Sequence, residues 1–320
     1  MAAIFLPARH RRHRTVISGA PGSGQLRSGP PECGAVGERR VRRSGTISTG
    51  DGTTEETADM TEAAEATRRT PGTPCWVSLM VHGLGSTEDF YADLFGWEYV
   101  PGPEQLGPYV RAVLDGHEVA GIGEMPPDGH LPTAWTTYLA TDDADASAES
   151  VRACGGTVAV GPLDAGIAGR VAICSDPLGA VFGLWQAQDH LGARPHGGPG
   201  TPVWHELITQ DTSTVGKFYE HVFGHEAQTH VTASDDFDHL TLNLAGRPVA
   251  AVHGVGRSLP HDRGPHWLAY FEVADTDAAA SRVEELGGRV VEPPREGMRG
   301  RQATVTDPEG AVFALVRSRP

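Results

Sequence analysis

From residue 73 onward the chain runs through short apolar stretches, apolar stripes at helical spacing and strictly alternating segments, always in the same order. Residues 76–81 form an apolar run of strand length. Ser86 or Thr87 can then cap a helix that carries Phe90, Tyr91, Leu94 and Phe95 on one face and stops at Gly96. Residues 109–114 alternate, Asp115-Gly116 is a hairpin signal, and residues 119–123 read as the returning strand. The order restarts with a strand over 135–140, a helix over 145–153 halted at Gly155-Gly156, and a strand over 157–160. Hairpin strands over 170–174 and 181–186 follow, joined by Asp176-Pro177-Leu178-Gly179. This pattern predicts a pair of βαβββ modules.

The whole series is then written a second time. Trp76 and Trp204, Phe90 and Phe218, and Phe95 and Phe223 are each 128 positions apart, so a copied structural unit is the economical explanation. The second copy predicts strands over 203–208, near Ala227, and over 239–244, 249–255, 267–273, 289–291, 302–306 and 312–317, with helices over 214–223 and 277–286. Each copy, at roughly 115 to 120 residues, is long enough to bury its own core. The Pro- and Gly-rich stretch between the copies reads as a linker. The expected division is a tail over 1–72, one domain over 73–187, a linker over 188–200 and a second domain over 201–318. The fold class is α+β, with two tandem domains that each form an eight-stranded cup.

Composition narrows the partners. A formal charge of −15 argues against general affinity for nucleic acid or anionic membranes and toward a small-molecule ligand. The four cysteines show no C-x-x-C spacing and no disulfide framework, which fits a reducing cytoplasm. The first 50 residues hold nine arginines against Glu32 and Glu38, with few periodic apolar positions, and read as disordered. Met60-Thr61-Glu62 offers a second start, so residues 1–59 read as an over-long gene prediction or a dispensable tail.

The helix ending in Phe-Tyr-x-x-x-Phe-Gly, the second helix ending in Gly-Gly and the closing Asp-Pro-x-Gly hairpin, each present twice, resemble the vicinal oxygen chelate superfamily. That superfamily includes glyoxalase I, bleomycin-resistance proteins and extradiol dioxygenases, and the similarity is greatest to tandem-domain, glyoxalase-like proteins of actinobacteria. In metal-dependent members, the resemblance implies a ligand on the first strand, a His on the fifth and a Glu on the last. Those positions fall on Trp76 and Trp204, Thr136 and Leu268, and Gly183 and Ala314. Neither copy keeps the superfamily's metal site, because an indole has no lone pair to offer an ion and Leu and Ala have none either. The expectation is therefore a protein with no metal and no cofactor.

Side chains two apart along a strand share a face, so fixing the ancestral ligand position inward assigns the rest of each cup. The first cup receives Trp76, Ser78, Tyr109, Arg111, Thr136, Tyr138 and Trp185. The second receives Trp204, Glu206, His239, Thr241, Asn243, His253, Tyr270 and Glu272. Trp76, Tyr109, Arg111, Tyr138, Trp204, His239, His253 and Tyr270 are the candidate ligand-binding residues. Glu206 and Glu272 are candidate acid–base groups, because burial beside Trp204 and Tyr270 would raise a carboxyl pKa toward the useful range. His205 should face the helices and is not counted.

The first expectation is a metal-independent protein that binds a small hydrophobic or aromatic metabolite, in resistance by sequestration or as a biosynthetic accessory. The second is a cofactor-independent lyase, isomerase or hydroxylase-type enzyme using Glu206 or Glu272. The third is a divergent metal-dependent glyoxalase or dioxygenase whose ligands have moved to Glu206, His239, His253 and Glu272. The domains are expected to pair within a monomer or across a homodimer.

Overall fold

The computed structural model describes residues 68–103, 107–126, 132–193, 197–230, 238–259 and 263–319. The expected disordered tail lies outside the described residues up to position 67. The first copy runs β1 (Pro74–Val81), α1 (Leu84–Phe95), β2 (Glu98–Pro101), β3 (Tyr109–Leu114), β4 (His117–Glu124), β5 (Trp135–Ala140), α2 (Ala144–Ala153), β6 (Thr157–Asp164), β7 (Gly169–Ser175) and β8 (Val181–Ala187). The second runs β9 (Pro202–Thr209), α3 (Thr212–Phe223), β10 (Glu226–His230), β11 (Asp238–Leu244), β12 (Arg247–Gly254), β13 (His266–Glu272), α4 (Thr276–Glu285), β14 (Arg289–Gly297), β15 (Gly300–Thr306) and β16 (Val312–Ser318). The chain is an α+β protein of two tandem units.

Each copy forms one eight-stranded sheet, in the order β2-β3-β4-β1-β5-β8-β7-β6 and its counterpart β10-β11-β12-β9-β13-β16-β15-β14. The first strands of the two modules pair antiparallel at the centre, with Ser78 opposite Thr136 in one sheet and Glu206 opposite Leu268 in the other. Helices α1 and α3 both close on a left-handed glycine, Gly96 at φ 75° and Gly224 at φ 73°, as the repeated Phe-Gly predicts. Helix α1 starts earlier than its sequence suggests. Ser86 and Thr87 lie within its first turn and bond back to the Gly83 carbonyl. Just ahead of the helix, Glu309 of the second copy accepts from the backbone amides of His82 at 2.8 Å and Gly83 at 2.7 Å.

Neither copy closes its own core. Val77, Leu79, Phe90, Tyr91 and Phe95 of the first copy pack with Phe271, Val283, Phe313 and Leu315 of the second. Leu139, Val151, Phe182 and Leu184 pack in turn with Leu207, Phe218, Tyr219, Phe223 and Trp267. The two sheets meet directly at their centres, β5 against β13, and the helices flank that contact, α1 beside α4 and α2 beside α3. Burying each of these large side chains contributes about 1.5–3 kcal/mol, so contact between the copies stabilises both. His205 faces this interface, its Nδ1 3.0 Å from Thr137 Oγ1, and burial pushes its pKa down to about 3.

The repeated landmarks meet across the interface. Trp135 Nε1 donates to the Tyr91 hydroxyl at 3.0 Å, and that hydroxyl donates to Asp307 Oδ2 at 3.1 Å. The mirror site has Trp267 Nε1 donating to the Tyr219 hydroxyl at 3.0 Å, but there Oδ2 of the facing Asp176 makes no hydrogen bond of normal length. Burial raises the pKa of both aspartates to about 6, against the pull of backbone N–H donors on each. Tyr91→Phe strips Trp135 of its acceptor and Asp307 of a donor, and is expected to cost about 2 kcal/mol or more. Tyr219→Phe removes the acceptor of Trp267 and only a weaker contact to Asp176, and should cost less. Urea denaturation of the two variants checks the order, and both should unfold in a single transition.

Candidate functional site

With their backs packed together, the two sheets turn their other faces outward as cups, and the cups are built differently. In the first, Trp76 Nε1 donates to the Tyr109 hydroxyl at 3.1 Å. Tyr109 lies directly over Gly121, where any Cβ would collide with its hydroxyl, and Tyr138 lies over Gly183 in the same way. The start of the linker then crosses this cup. The His190 ring stands edge-on to Trp76 at 4.4 Å and to Trp185 at 5.6 Å, and its Nδ1 is 2.8 Å from Glu118 Oε2. Glu118 also pairs with Arg111, while Trp185 Nε1 donates to the His190 carbonyl at 2.8 Å. The candidate residues Trp76, Tyr109, Arg111 and Tyr138 are thus together; the Trp76 indole and the Tyr109 hydroxyl bond to each other and Arg111 pairs with Glu118, while Arg111 Nε is buried without a partner.

The second cup gathers charge. Glu206 is 8 % exposed, its Oε2 accepting from the Tyr270 hydroxyl at 2.5 Å and its Oε1 3.1 Å from His239 Nε2. His239 and His253 are direct partners on the β11–β12 ladder, their rings stacked 4.8 Å apart. One ligand atom from each of Glu206, His239 and His253 lies within 4.8 Å of the others. Arg299, from the β14–β15 turn, places its guanidinium over the Trp204 ring, 2.9 Å from the centroid. Glu272 does not join this group; it sits at the end of the sheet, accepting from the backbone N–H and hydroxyl of Ser318.

Burial works to raise the Glu206 pKa, but the hydrogen bonds from His239 and Tyr270 and the charge of the imidazoles outweigh it and hold the carboxyl below its ordinary value. The sequence argument anticipated the opposite shift, because it weighed desolvation without these donors. Burial and the Glu206 charge push the Tyr270 hydroxyl well above 10, so it remains a donor, and burial lowers the His253 pKa. At neutral pH the cup therefore holds an anionic acceptor backed by a phenol and imidazoles.

The two cups differ at matched positions. Ser78 lies opposite Gly121 and Tyr109 opposite Gly123 in the first sheet; Glu206 lies opposite Ala251 and His239 opposite His253 in the second. One framework carries Ser, Tyr and Gly in the first copy and Glu, His and His in the second.

A family model described as "Glyoxalase/Bleomycin resistance protein/Dioxygenase superfamily" matches residues 75–184, and one described as "Glyoxalase-like domain" matches residues 204–316. The chain belongs to this superfamily. It is 38 % identical over 258 residues to the putative glyoxylase CFP32 of Mycobacterium tuberculosis, covering 78 % of this chain and 96 % of the relative. It is 35 % identical over 268 residues to the anthracycline biosynthesis protein DnrV of Streptomyces peucetius, covering 79 % and 96 %. Among solved structures it resembles the Mn(II)-bound glyoxalase of Novosphingobium aromaticivorans, with a TM-score of 0.54 and 19 % identity over 77 % of this chain and 82 % of that one. The 2,3-dioxygenase LapB of Pseudomonas sp. KL28 gives a TM-score of 0.55 and 15 % identity, over 79 % and 94 %. These two show the fold.

The superfamily's metal positions do not fit an ion here. Trp204 carries Arg299 on its face, and Leu268 and Ala314 line the cup as buried apolar residues. Sequence reasoning missed Arg299, Glu118 and His190. The first comes from a turn and the last from the linker, and neither has a strand parity to give it away. Glu118 shares a strand face with inward residues only after the register shift between Ala112 and Val113. Gly121→Ala should displace Tyr109 and cost about 1–3 kcal/mol by overpacking, measurable by thermal denaturation.

Proposed function

We propose that the second cup is the working site and binds a flat hydrophobic or aromatic metabolite that bears an acidic oxygen substituent, while the first cup serves the fold. The observation that carries this reading is the grouping of Glu206, His239, His253 and Tyr270 beside the Arg299–Trp204 stack. Trp204 and Tyr270 offer apolar ring surface, Arg299 a planar cation for an anionic oxygen, and Glu206 an acceptor for a ligand hydroxyl. The relative named for anthracycline biosynthesis fits a polycyclic aromatic ligand. It supports a biosynthetic role over general sequestration.

A second reading is favoured by the ionised Glu206. With imidazoles beside it, the carboxylate can take a proton from an acidic carbon or hydroxyl of the bound ligand, as in a cofactor-independent isomerase or lyase. Tyr270, held protonated, can steady the charge that develops on a neighbouring oxygen.

Calorimetric titration and tryptophan quenching against a panel of anthracyclinones, anthraquinones and flavonoids test the binding. The expected result is binding to some members that Arg299→Ala and Trp204→Ala weaken about tenfold or more, the order of a lost charge-assisted contact, with Trp185→Phe unaffected. No binding across the panel, or equal binding by all variants, contradicts it. If the second reading holds, Glu206→Gln abolishes turnover of a bound ligand and leaves its affinity within a few-fold.

A further inference from the structure

We infer that Glu206, His239 and His253 form a divalent metal site, set apart from the superfamily's ancestral ligand positions and built on strands β9, β11 and β12. The three residues supply two imidazole nitrogens and one carboxylate oxygen, a donor set suited to Zn²⁺, Co²⁺ or Fe²⁺. Donors bound at about 2.0–2.2 Å to one ion lie about 3 Å from each other. The Glu206 Oε1 to His239 Nε2 distance is already 3.1 Å, and no pair among the three exceeds 4.8 Å.

Three further observations support this assignment. Glu206 is a buried carboxylate on a strand interior, a costly placement that coordination would justify. Its second oxygen is fixed by the Tyr270 hydroxyl at 2.5 Å, which orients the carboxylate as an outer-shell partner does for a metal ligand. The matched positions in the first copy are Ser78, Tyr109 and Gly123, so all three donors are peculiar to the second copy. Arg299 near Glu206, and Arg295 and Glu292 near His253, set the charge around the site. With three protein donors, an ion keeps open positions for water or for oxygens of the ligand.

The test uses the full chain, stripped with chelator and then dialysed into Co²⁺ or Zn²⁺. The expected result is one equivalent retained by elemental analysis, with a visible Co²⁺ spectrum of mixed nitrogen and oxygen ligation. Glu206→Gln and His253→Ala each remove the retained equivalent, and Tyr270→Phe weakens binding about ten- to hundredfold. Should a variant fold poorly, ring NMR signals of His239 and His253 in the unmodified protein shift on adding Zn²⁺. The inference is overturned if no ion is retained, if Glu206→Gln and His253→Ala retain it unchanged, or if His10→Ala/His13→Ala in the N-terminal segment removes it instead. The inference shares its cup with the proposed ligand site, but the titration contains no organic ligand. Its failure therefore leaves the ligand reading standing, and a ligand panel without hits leaves the metal assignment standing.

Discussion

The packing of the two sheets back to back, with their helices around the contact, is the constraint from which the rest follows. Phe95 stacks on Phe271 at 5.2 Å, and Phe182 lies 5.7 Å from Tyr219, so each copy supplies the ring that the other lacks. With the helix-bearing faces consumed in this way, the opposite faces of the sheets are turned outward as cups. Rigid central strands then position them, because Val77 and Leu79 are locked into the core while Trp76 and Ser78 point the other way. The same holds for Leu207 against Trp204 and Glu206.

Duplication supplies the two cups, and divergence gives them different linings. The first has become a closed arrangement. Tyr109 and Tyr138 press onto glycines, and the linker adds His190 against Trp76 and Trp185. Ala193 N donates to the Cys75 carbonyl at 2.8 Å, which ties the linker to β1. The second cup has alanines at 251 and 314 where the first has glycines, so its aromatic residues cannot sink as deeply onto the sheet. It carries ionisable groups instead. A domain pair whose stability is shared between copies can tolerate a costly buried carboxylate in one of them.

Much of this was legible in the sequence, and the part that was not has a common cause. Strand alternation assigned Trp76, Tyr109, Tyr138, Glu206, His239, His253 and Tyr270 to inward faces, since period-two geometry is local. The same rule kept His205 out of the cup, and it lies against Thr137 at the interface. What local pattern could not carry were contacts made by turns, linkers and the opposite copy. Glu309, which holds the amides just ahead of α1, is 226 residues away from Gly83 in the chain, and Arg299 reaches Trp204 from a hairpin turn. The Glu206 pKa went the other way for the same reason: its burial could be read from the strand, but the two donors that offset it are brought there by β11 and β13. Glu272 had the right parity and the wrong height, because a strand reading gives the face of a side chain and not its distance from the cup floor.

The central claim is that binding belongs to the second cup alone, and tryptophans mark both cups: Trp76 and Trp185 the first, Trp204 the second. ¹⁹F NMR of protein labelled with fluorotryptophan reads all of them at once, with Trp97, Trp135 and Trp267 as reporters of the shared core. On titration with an anthracyclinone, the account predicts that the Trp204 signal shifts or broadens while those of Trp76 and Trp185 stay in place. Movement of Trp76 and Trp185 with Trp204 unchanged would contradict it.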